Sequence, residues 1–271
     1  MEGNLTTQLN KKTTIRGNPA KMDEKKLVID AHDIYYKELN EMVRDAILNK
    51  DYKVVELDNV NGQRYIGDAI EKEATIIING VPGNDLGAFM SGPTIIVNDN
   101  VQDAVGNTMS LGKIVVHGQA SDVIGYGMRG GKIFIKGDVG YRVGIHMKAY
   151  KERMSYIVAG GNAGDFFGEY MAGGIMVLLG LDEDDERPIV GDYLGTGMHG
   201  GIIYVRGEVN KKKLGKEVGI VDMTDADMKE LEKLLKEYAA DLDLDYENIM
   251  SKPFNKIIPV SHRPYGRLYA Y

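Results

Sequence analysis

Two glycine motifs in this chain have the spacing of a dinucleotide-binding loop, in which backbone N–H groups at the start of a helix hold a pyrophosphate. They read GYGMRG from Gly125 to Gly130 and GTGMHG from Gly195 to Gly200. Each is followed by an apolar run typical of a β-strand, whereas a nucleotide-binding loop opens a helix. The two motifs are therefore better explained as parts of a structural repeat than as a nucleotide site.

Histidine is the other residue type here that could support catalysis or bind a metal ion. Three of the five histidines, His117, His146 and His199, fall within the glycine-rich middle of the chain. Their offsets from the neighbouring glycine motifs differ, so a repeating fold would not gather them into one ligand set. His146 precedes an insertion and is the best candidate to line a cleft, although an ordinary surface position is the stronger explanation. We predict no catalytic, cofactor-binding or metal-binding residue.

The bulk composition excludes further classes of function. The 271 residues include no cysteine, which rules out disulfides, iron–sulfur ligation and a thiolate nucleophile. The formal net charge of −7 argues against nucleic-acid binding, which needs a basic field around the phosphates. No apolar run approaches the ~20 residues of a membrane span, and the polar start lacks the apolar region of a signal peptide. We therefore expect a cytoplasmic protein that binds neither membranes nor nucleic acids.

The strongest pattern in the sequence is a Gly-x-x-Met repeat. It occurs six times, at successive intervals of 19, 19, 19, 24 and 27 residues. The repeated pairs are Gly87 and Met90, Gly106 and Met109, Gly125 and Met128, Gly144 and Met147, Gly168 and Met171, and Gly195 and Met198. An apolar run begins eleven residues before each of the first five glycines, as at Ile76 and Ile95. Since 19 residues are too few for a pair of helices, each unit is predicted to form one coil of a β-solenoid.

The predicted fold is mainly β. It is a single-stranded, right-handed parallel β-helix of about seven coils, with α-helices flanking it at the N- and C-terminal ends. We assign residues 1–52 to an N-terminal arm and capping helix, residues 53–209 to the solenoid, and residues 210–271 to a C-terminal helix and tail. The division follows the change in character from helical spacing to strand runs and back.

The two ends of a solenoid need covering, because an open coil exposes strand edges and core. Asp30 and Asp33 are predicted to begin the N-terminal helix, and Thr224 with Asp227 is predicted to form a capping box for the C-terminal one. The segment from Val54 to Ile70 resembles a degenerate first coil. We expect both helices to dock an apolar face on the solenoid.

The repeated residues have sufficient structural explanations. The methionines are predicted to point inward and form a ladder, and a Met-lined metal or ligand channel is the functional alternative. Four aspartates lie three residues before a repeat glycine and are predicted to close turns by bonding their own backbone. They are Asp103, Asp122, Asp165 and Asp192. A cation-binding carboxylate ladder is the rival explanation, but the sequence lacks the nonapeptide pattern of calcium-binding β-rolls.

Interruptions of the repeat indicate where a partner would bind, because insertions in solenoids collect on functional surfaces. The insertions are Lys148 to Met154 and Asp182 to Val190. The tail from Ser261 to Tyr271 is aromatic and basic, and it would either grip a partner or wrap its own solenoid. The candidate contact residues in these segments are Lys148, Arg153, Asp184, Asp185, Arg263, Tyr265 and Arg267.

Three stretches carry a resemblance to a known family. They are GGKIFIKGDVGYRVGIHM, VAGGNAGDFFGEYMAGGIMVLLG and VGDYLGTGMHGGIIYVRG. They resemble the glycine-repeat (GXGXG) β-helix that closes the large subunit of glutamate synthase. The preceding IDAHDIYYKELNEMVRDAI and NVNGQRYIGDAI look like the stand-alone third-domain protein of enzymes in which that subunit is split.

The resemblance implies a role without catalysis on this chain. In the family, glutamine is hydrolysed in an amidotransferase domain and 2-oxoglutarate is aminated at an FMN and Fe–S domain. The chain would be the scaffold between these partners and would itself carry no cofactor, while FMN and the cluster would reside on partner subunits. The repeat also resembles the glycine-repeat subunit of formylmethanofuran dehydrogenase, which is the second interpretation. A self-contained enzyme or small-molecule binder is the third, and assembly of several copies of the chain is left open.

Overall fold

The computed structural model describes residues 25–150, 152–181 and 187–261. Nine strands pair with their neighbours in chain order, and every one of these pairings is parallel. They are β1 (Lys26–Asp30), β2 (Val54–Asn61), β3 (Thr75–Val81), β4 (Ser91–Val97), β5 (Leu111–Val116), β6 (Gly131–Ile135), β7 (Ser155–Ala159), β8 (Ala172–Leu178) and β9 (Gly200–Arg206). This order confirms the predicted parallel β-helix.

Equivalent residues of successive coils stack inside the solenoid. Ile95 of β4 is in register with Ile76 of β3 and with Ile114 of β5. The column continues through Ile133 and Ile157, and all five side chains are fully buried. Because adjacent strands lie ~4.8 Å apart, each of the three inner isoleucines is covered by isoleucines above and below, while Val55 and Met176 cover the two ends of the column. Burial of this kind stabilises the fold by ~1.5–3 kcal/mol per side chain, which a lone coil could not exploit.

The glycine of each Gly-x-x-Met unit lies at a corner of the coil. All six have left-handed backbone, with φ between +65° and +74°, a region that glycine enters without steric penalty. Gly67 of the degenerate first coil has the same conformation, with φ of +76°. The residues that the structure describes therefore form seven equivalent corners, which bound about six complete turns where the sequence predicted about seven coils.

The N-terminal end of the solenoid is covered by a helix, α1 (Tyr36–Arg44), which continues into a π-helical turn at Asp45–Asn49. Leu39, Val43 and Ile47 are fully buried against the first coil. The predicted start of this helix at Asp30 and Asp33 is wrong. Asp30 is the last residue of β1, and α1 begins six residues later, without a side-chain cap.

The C-terminal end has a different arrangement. After β9 the chain forms β10 (Val218–Val221), α2 (Asp225–Leu242), α3 (Tyr246–Met250) and β11 (Phe254–Pro259). The last strand pairs antiparallel with β9 on one side and with β10 on the other. The sheet thus extends beyond the predicted solenoid segment at both ends, through β1 and through this antiparallel pair.

The helix α2 lies on the outer face of the sheet. Its capping box is present, since the Thr224 and Asp227 side chains bond each other's backbone as the sequence predicts. A second apolar cluster forms between the helix, α3 and the outward side chains of β5 to β9. Its fully buried members include Phe134, Tyr204, Leu231, Leu235 and Tyr238. The solenoid therefore has two cores, one inside the coils and one beneath this helix.

Candidate interaction surface at the solenoid corners

The repeat methionines fill the interior beside the corners. All six are at most 1% exposed. Four of the methyl groups reach toward a glycine near the start of a strand in the next coil, so that a Cβ at Gly131 would lie 2.5 Å from Met109 Cε. The same relationship pairs Met90 with Gly112 and Met147 with Gly174. The interior at these levels is occupied by protein atoms, which supports a structural role over a ligand channel.

The two G-x-G-x-x-G motifs lie at equivalent corners and lead into strands. Gly125 starts a turn that runs into β6, and Gly195 starts the one that runs into β9. A Cβ on Gly125 would collide with Cδ1 of Ile157. Glycine is required at this position by packing as well as by its φ of +70°. The motif spacing follows from the coil.

The repeat aspartates act between coils. Asp122 Oδ1 accepts a hydrogen bond from the backbone N–H of Tyr141 at 2.8 Å, and Asp165 Oδ1 accepts one from Asp192 at 2.7 Å. Asp103 Oδ1 receives the N–H of Asp122 at 3.1 Å. The prediction that these carboxylates bond the backbone of their own turn is wrong. They join one coil to the next, because identical positions stack a single strand spacing apart.

Metal binding finds no support among the residues that the structure describes. No group of three or more histidines, aspartates and glutamates there is placed to hold an ion. His146 stacks on an aromatic ring, and the Nδ1 of His199 lies 3.3 Å from the carbonyl oxygen of Gly197. The two side chains therefore have different surroundings.

A buried polar cluster lies where α2 meets the sheet. The Tyr204 hydroxyl donates to Asp227 at 2.8 Å, and the Lys256 ammonium lies 2.7 Å from the same carboxylate oxygen. Burial tends to raise the pKa of Asp227, but the hydrogen bonds from Lys256, Thr224 and Tyr204 outweigh it and hold that pKa well below its usual value. Burial, together with the bond to Asp227, raises the pKa of Tyr204. The cluster is closed off by the helix, so we assign it to fold stability.

The corners carry an unusual backbone on their outer side. At every corner the residues two before and two after the glycine are also left-handed. Glycine itself takes the second of these positions at Gly127 and Gly197. At other corners the left-handed residues are bulky, as at Arg142, His146 and Tyr170, with φ of 56°, 56° and 52°. Each such residue costs ~1–2 kcal/mol relative to glycine in this conformation.

Five of these left-handed residues form two stacks along the solenoid axis, and Tyr126, whose backbone is not left-handed, joins the first stack. In the first, the His146 ring lies 5.9 Å from Tyr126, edge to face, and 5.4 Å from Tyr170, nearly parallel. In the second, the Arg142 guanidinium lies 4.6 Å above the Phe166 ring, which stacks on Tyr193 at 5.0 Å. We call the six residues of the two stacks the aromatic ridge: Tyr126, Arg142, His146, Phe166, Tyr170 and Tyr193.

The aromatic ridge is tied together and open to solvent. Arg142 Nε donates to Glu169 Oε2 at 3.0 Å, and the backbone carbonyl of Glu169 accepts from His146. Tyr126 is 41% exposed and Tyr193 is 55% exposed. Aromatic and arginine side chains of this kind are enriched at the energetic centres of protein interfaces. The ridge has the chemistry of a contact surface.

Two of the predicted partner residues follow the ridge residue His146 along the chain. Lys148 is half-buried, and the exposed Arg153 lies in a small hairpin closed by backbone bonds between Tyr150 and Arg153. This hairpin directly follows the corner of His146. The other predicted contact residues, Asp184, Asp185, Arg263, Tyr265 and Arg267, lie outside the described residues.

Sequence reasoning missed the ridge itself. A signal was present, because the Gly-x-Gly-Met form of the repeat at Gly125 and Gly195 is replaced by Gly-x-His-Met at Gly144 and by Gly-x-Tyr-Met at Gly168. The departures place a large side chain where the fold accepts glycine.

Two surface clefts lie elsewhere. One, of about 680 Å³, is lined by polar groups that include His32, Asp58, Asn59 and Asn79. The other, of about 470 Å³, lies between β10, α2 and β11 and includes Met223. Neither brings together a nucleophile, base and anion-binding group of recognisable type. The side chains that line the two clefts are therefore less suited to binding a partner than those of the aromatic ridge.

Comparison with known proteins places this architecture in a family. The family model described as "GXGXG motif" matches residues 24–260. An uncharacterized protein of Methanocaldococcus jannaschii is 50% identical over 250 residues, which cover 90% of this chain and 96% of that protein.

A solved structure shares the fold. It is a chain of the formyltransferase/hydrolase complex from Methylorubrum extorquens, determined in complex with methylofuran. The TM-score is 0.55 at 18% identity, and the match covers 91% of this chain and 98% of that one. Among the described residues, no helix is both long and apolar enough to cross a membrane. The chain belongs to the GXGXG motif family.

Proposed function

We propose that this protein is a non-catalytic scaffold subunit of a multi-subunit enzyme. The observation that carries the proposal is the division between a filled interior and an outward contact surface. Columns of buried isoleucine and methionine occupy the coils, and the aromatic ridge presents rings and a guanidinium to solvent. A rigid solenoid with such an edge suits the positioning of other subunits.

The enzyme we propose first is a split glutamate synthase. The sequence stretches quoted above resemble the stand-alone third domain of that enzyme, and the family match covers most of the chain. The partners would be an amidotransferase subunit and a subunit that carries FMN and an Fe–S cluster. This chain would hold neither group, which agrees with the absence of cysteine from its sequence.

A second candidate has its own support. The chain of similar fold in Methylorubrum extorquens belongs to a formyltransferase/hydrolase complex, and nearly its whole length matches this protein. The second proposal is therefore a scaffold role like that of the glycine-repeat subunit of formylmethanofuran dehydrogenase. In both candidates the solenoid would serve as an assembly component.

Co-purification tests the role and distinguishes the candidates. We would co-express the tagged full-length chain with the amidotransferase and FMN/Fe–S subunits of a split glutamate synthase and, separately, with formylmethanofuran dehydrogenase subunits. We expect one set to elute with the chain at a fixed stoichiometry. Glutamine-dependent glutamate formation should need the complete first set.

Two results would contradict the proposal. Glutamate formation by the isolated chain would show that it is catalytic. Full activity and assembly of either set of subunits without this chain would show that it is not their scaffold.

A further inference from the structure

The cleft between β10, α2 and β11 is a groove with a mainly apolar lining. Ile220 packs there against the core inside the coils, whereas Met223, Met250 and Phe254 pack against the core beneath α2. All four side chains are only partly buried. Both cores therefore reach the surface at this one place, and methionine is a side chain that adapts to an occupant.

The strand beside the groove is the last strand of the sheet. It is β10, which pairs with β11 on one side and has no neighbouring strand on the other among the described residues. Native proteins usually cover an edge strand, because its unpaired backbone groups would otherwise pair with another chain. Ile220 and Val221 belong both to this strand and to the groove. A segment that lies along β10 would cover the open edge and enter the groove.

The tail that follows the described residues starts at the other end of the same strand. The backbone N–H groups of Val260 and Ser261 donate to the carbonyl oxygen of Glu217, which directly precedes β10. The four residues of β10 lead from there toward the groove over about 13 Å. The segment 262–271 could span about 33 Å when extended, so it reaches the groove with several residues to spare.

The tail has the composition that an apolar groove would accept. Its large apolar and aromatic side chains are Tyr265, Leu268, Tyr269 and Tyr271. The charged residues that line the groove are one aspartate, Asp222, and one lysine, Lys252. Because these two have opposite signs, burial of apolar surface selects the occupant and net charge does not.

The size of the groove favours an occupant that is tethered to it. Eleven residues line the groove, whereas a stable interface between separate proteins uses about 20–30 residues on each side. A segment of the same chain is present at an effective concentration in the millimolar range, so that weak contacts are enough to hold it.

We propose that the C-terminal tail, from residue 262 onwards, runs along the free edge of β10 and docks its apolar side chains in this groove. The inference is separate from the scaffold role. It gives the tail a binding site on its own chain, where the sequence left a partner as the alternative. Exchange of tails between two copies of the chain and a tail that stays free are outcomes of the test.

Disulfide trapping tests the docking, and the absence of cysteine from the chain removes background reactions. One cysteine replaces a small tail residue, Ala270→Cys, and the other replaces an exposed residue of the groove, Lys252→Cys. A disulfide needs the two Cα atoms within about 7 Å of each other. The rate of its formation under a mild oxidant therefore reports how often the tail lies in the groove.

The matched control pairs Ala270→Cys with Lys216→Cys. Lys216 is also exposed, and it lies next to Glu217, where the tail begins. A freely moving tail would meet this position at least as often as the groove. We expect the Lys252→Cys pair to form an intramolecular disulfide about tenfold faster or more than the control pair.

Tryptophan fluorescence gives a second measurement that needs no covalent bond. The chain contains no tryptophan, so the variant Tyr269→Trp reports only the surroundings of the tail. Its emission should be shifted to the blue and protected from iodide quenching. Adding Met223→Asp, which places a charge in the groove, should shift the emission to the red and raise quenching to the level of the free tail peptide. Adding Met154→Asp, at a methionine that is 39% exposed and outside the groove, should change neither.

Three results would overturn the docking. Disulfide formation with Lys216→Cys as fast as with Lys252→Cys would show a tail that moves freely. A disulfide-linked dimer in place of the intramolecular bond would show tails exchanged between two copies. Emission of Tyr269→Trp that Met223→Asp leaves unchanged, in a chain that circular dichroism shows to be folded, would place the tail elsewhere. If Met223→Asp unfolds the chain, the comparison of the two cysteine pairs decides by itself.

Discussion

Met171 and Gly201 belong to neighbouring coils and fit together as a pair. A Cβ on Gly201 would lie 2.5 Å from the Met171 methyl carbon, so the long side chain at one corner is accommodated by the missing side chain at the start of the next strand. The flexible thioether follows the curved interior there without strain. The methionine of a Gly-x-x-Met unit and the glycine at the start of the next coil's strand thus pack together as one unit across two coils.

Truncation of a corner methionine should destabilise the protein. Met128 is fully buried, and Met128→Ala should lower the free energy of unfolding by about 2–5 kcal/mol through lost contacts and the cavity left behind. Urea unfolding followed by circular dichroism measures the loss. Met154→Ala is the control, because Met154 is 39% exposed and should change stability little. Equal stability of the two variants would contradict the inward ladder.

Two glycines of the GYGMRG motif, Gly125 and Gly127, should lose different amounts of unfolding free energy when they are replaced by alanine. Gly125→Ala adds a collision with Ile157 to the penalty of left-handed backbone, and should cost about 3 kcal/mol. At Gly127 the nearest other atom to an added Cβ is Thr108 Oγ1 at 3.7 Å, so Gly127→Ala should cost only about 1 kcal/mol. Chemical denaturation distinguishes the two values. Similar losses would mean that packing does not explain the motif.

Substitution of a repeat aspartate should lower stability by removing a hydrogen-bond acceptor that joins two coils. Asp122→Ala removes the acceptor of the Tyr141 N–H and should cost about 1 kcal/mol of unfolding free energy. Asp122→Asn keeps an acceptor oxygen and should cost clearly less. Thermal unfolding with and without millimolar calcium completes the measurement. A large calcium-dependent rise in the unfolding temperature that Asp122→Asn abolishes would favour the cation ladder instead.

The polar cluster beneath α2 should make stability depend on pH. Because the pKa of Asp227 is lower in the folded state than in the unfolded one, its ionised form stabilises the fold above pH ~4, and this contribution disappears as the pH falls further. Asp227→Asn should therefore cost about 2 kcal/mol at pH 7 and progressively less in acid.

Urea titrations from pH 7 to pH 3 follow that difference. Asp225→Asn is the control, since this exposed carboxylate lies in the first turn of the same helix. A stability difference between the original chain and Asp227→Asn that stays constant with pH would show that the charge of Asp227 is unimportant.

The parts of the fold that repeat could be predicted from sequence, and the parts that do not repeat could not. Isoleucines spaced 19 residues apart, such as Ile95 and Ile114, indicate the coil and its register, because equivalent positions stack. The strand β1 and the antiparallel pair at the other end lack this period, and their pairing depends on tertiary contacts. The prediction that α1 begins at Asp30 and Asp33 was wrong for the same reason, because the start of this helix depends on tertiary contacts.

The candidate surface was harder to predict because it depends on backbone conformation. Positive φ at Arg142, His146 or Phe166 contradicts the preference of these residue types, so propensities alone do not find it. The two stacks require knowledge of which corner positions face each other across coils. The prediction of partner contacts at Lys148 and Arg153 came from the insertion there, which follows the corner of His146 along the chain, and it stays a prediction.

The uniform stretch between Gly87 and Gly144 makes the distance between the two ends of the molecule adjustable. Three consecutive 19-residue units there can in principle be shortened or extended by one unit while equivalent residues are rejoined. Each change would move α1 relative to α2 by about 4.8 Å along the axis. The middle coils thus act as a spacer. The number of 19-residue units in it sets the distance between partners bound at the two ends of the solenoid.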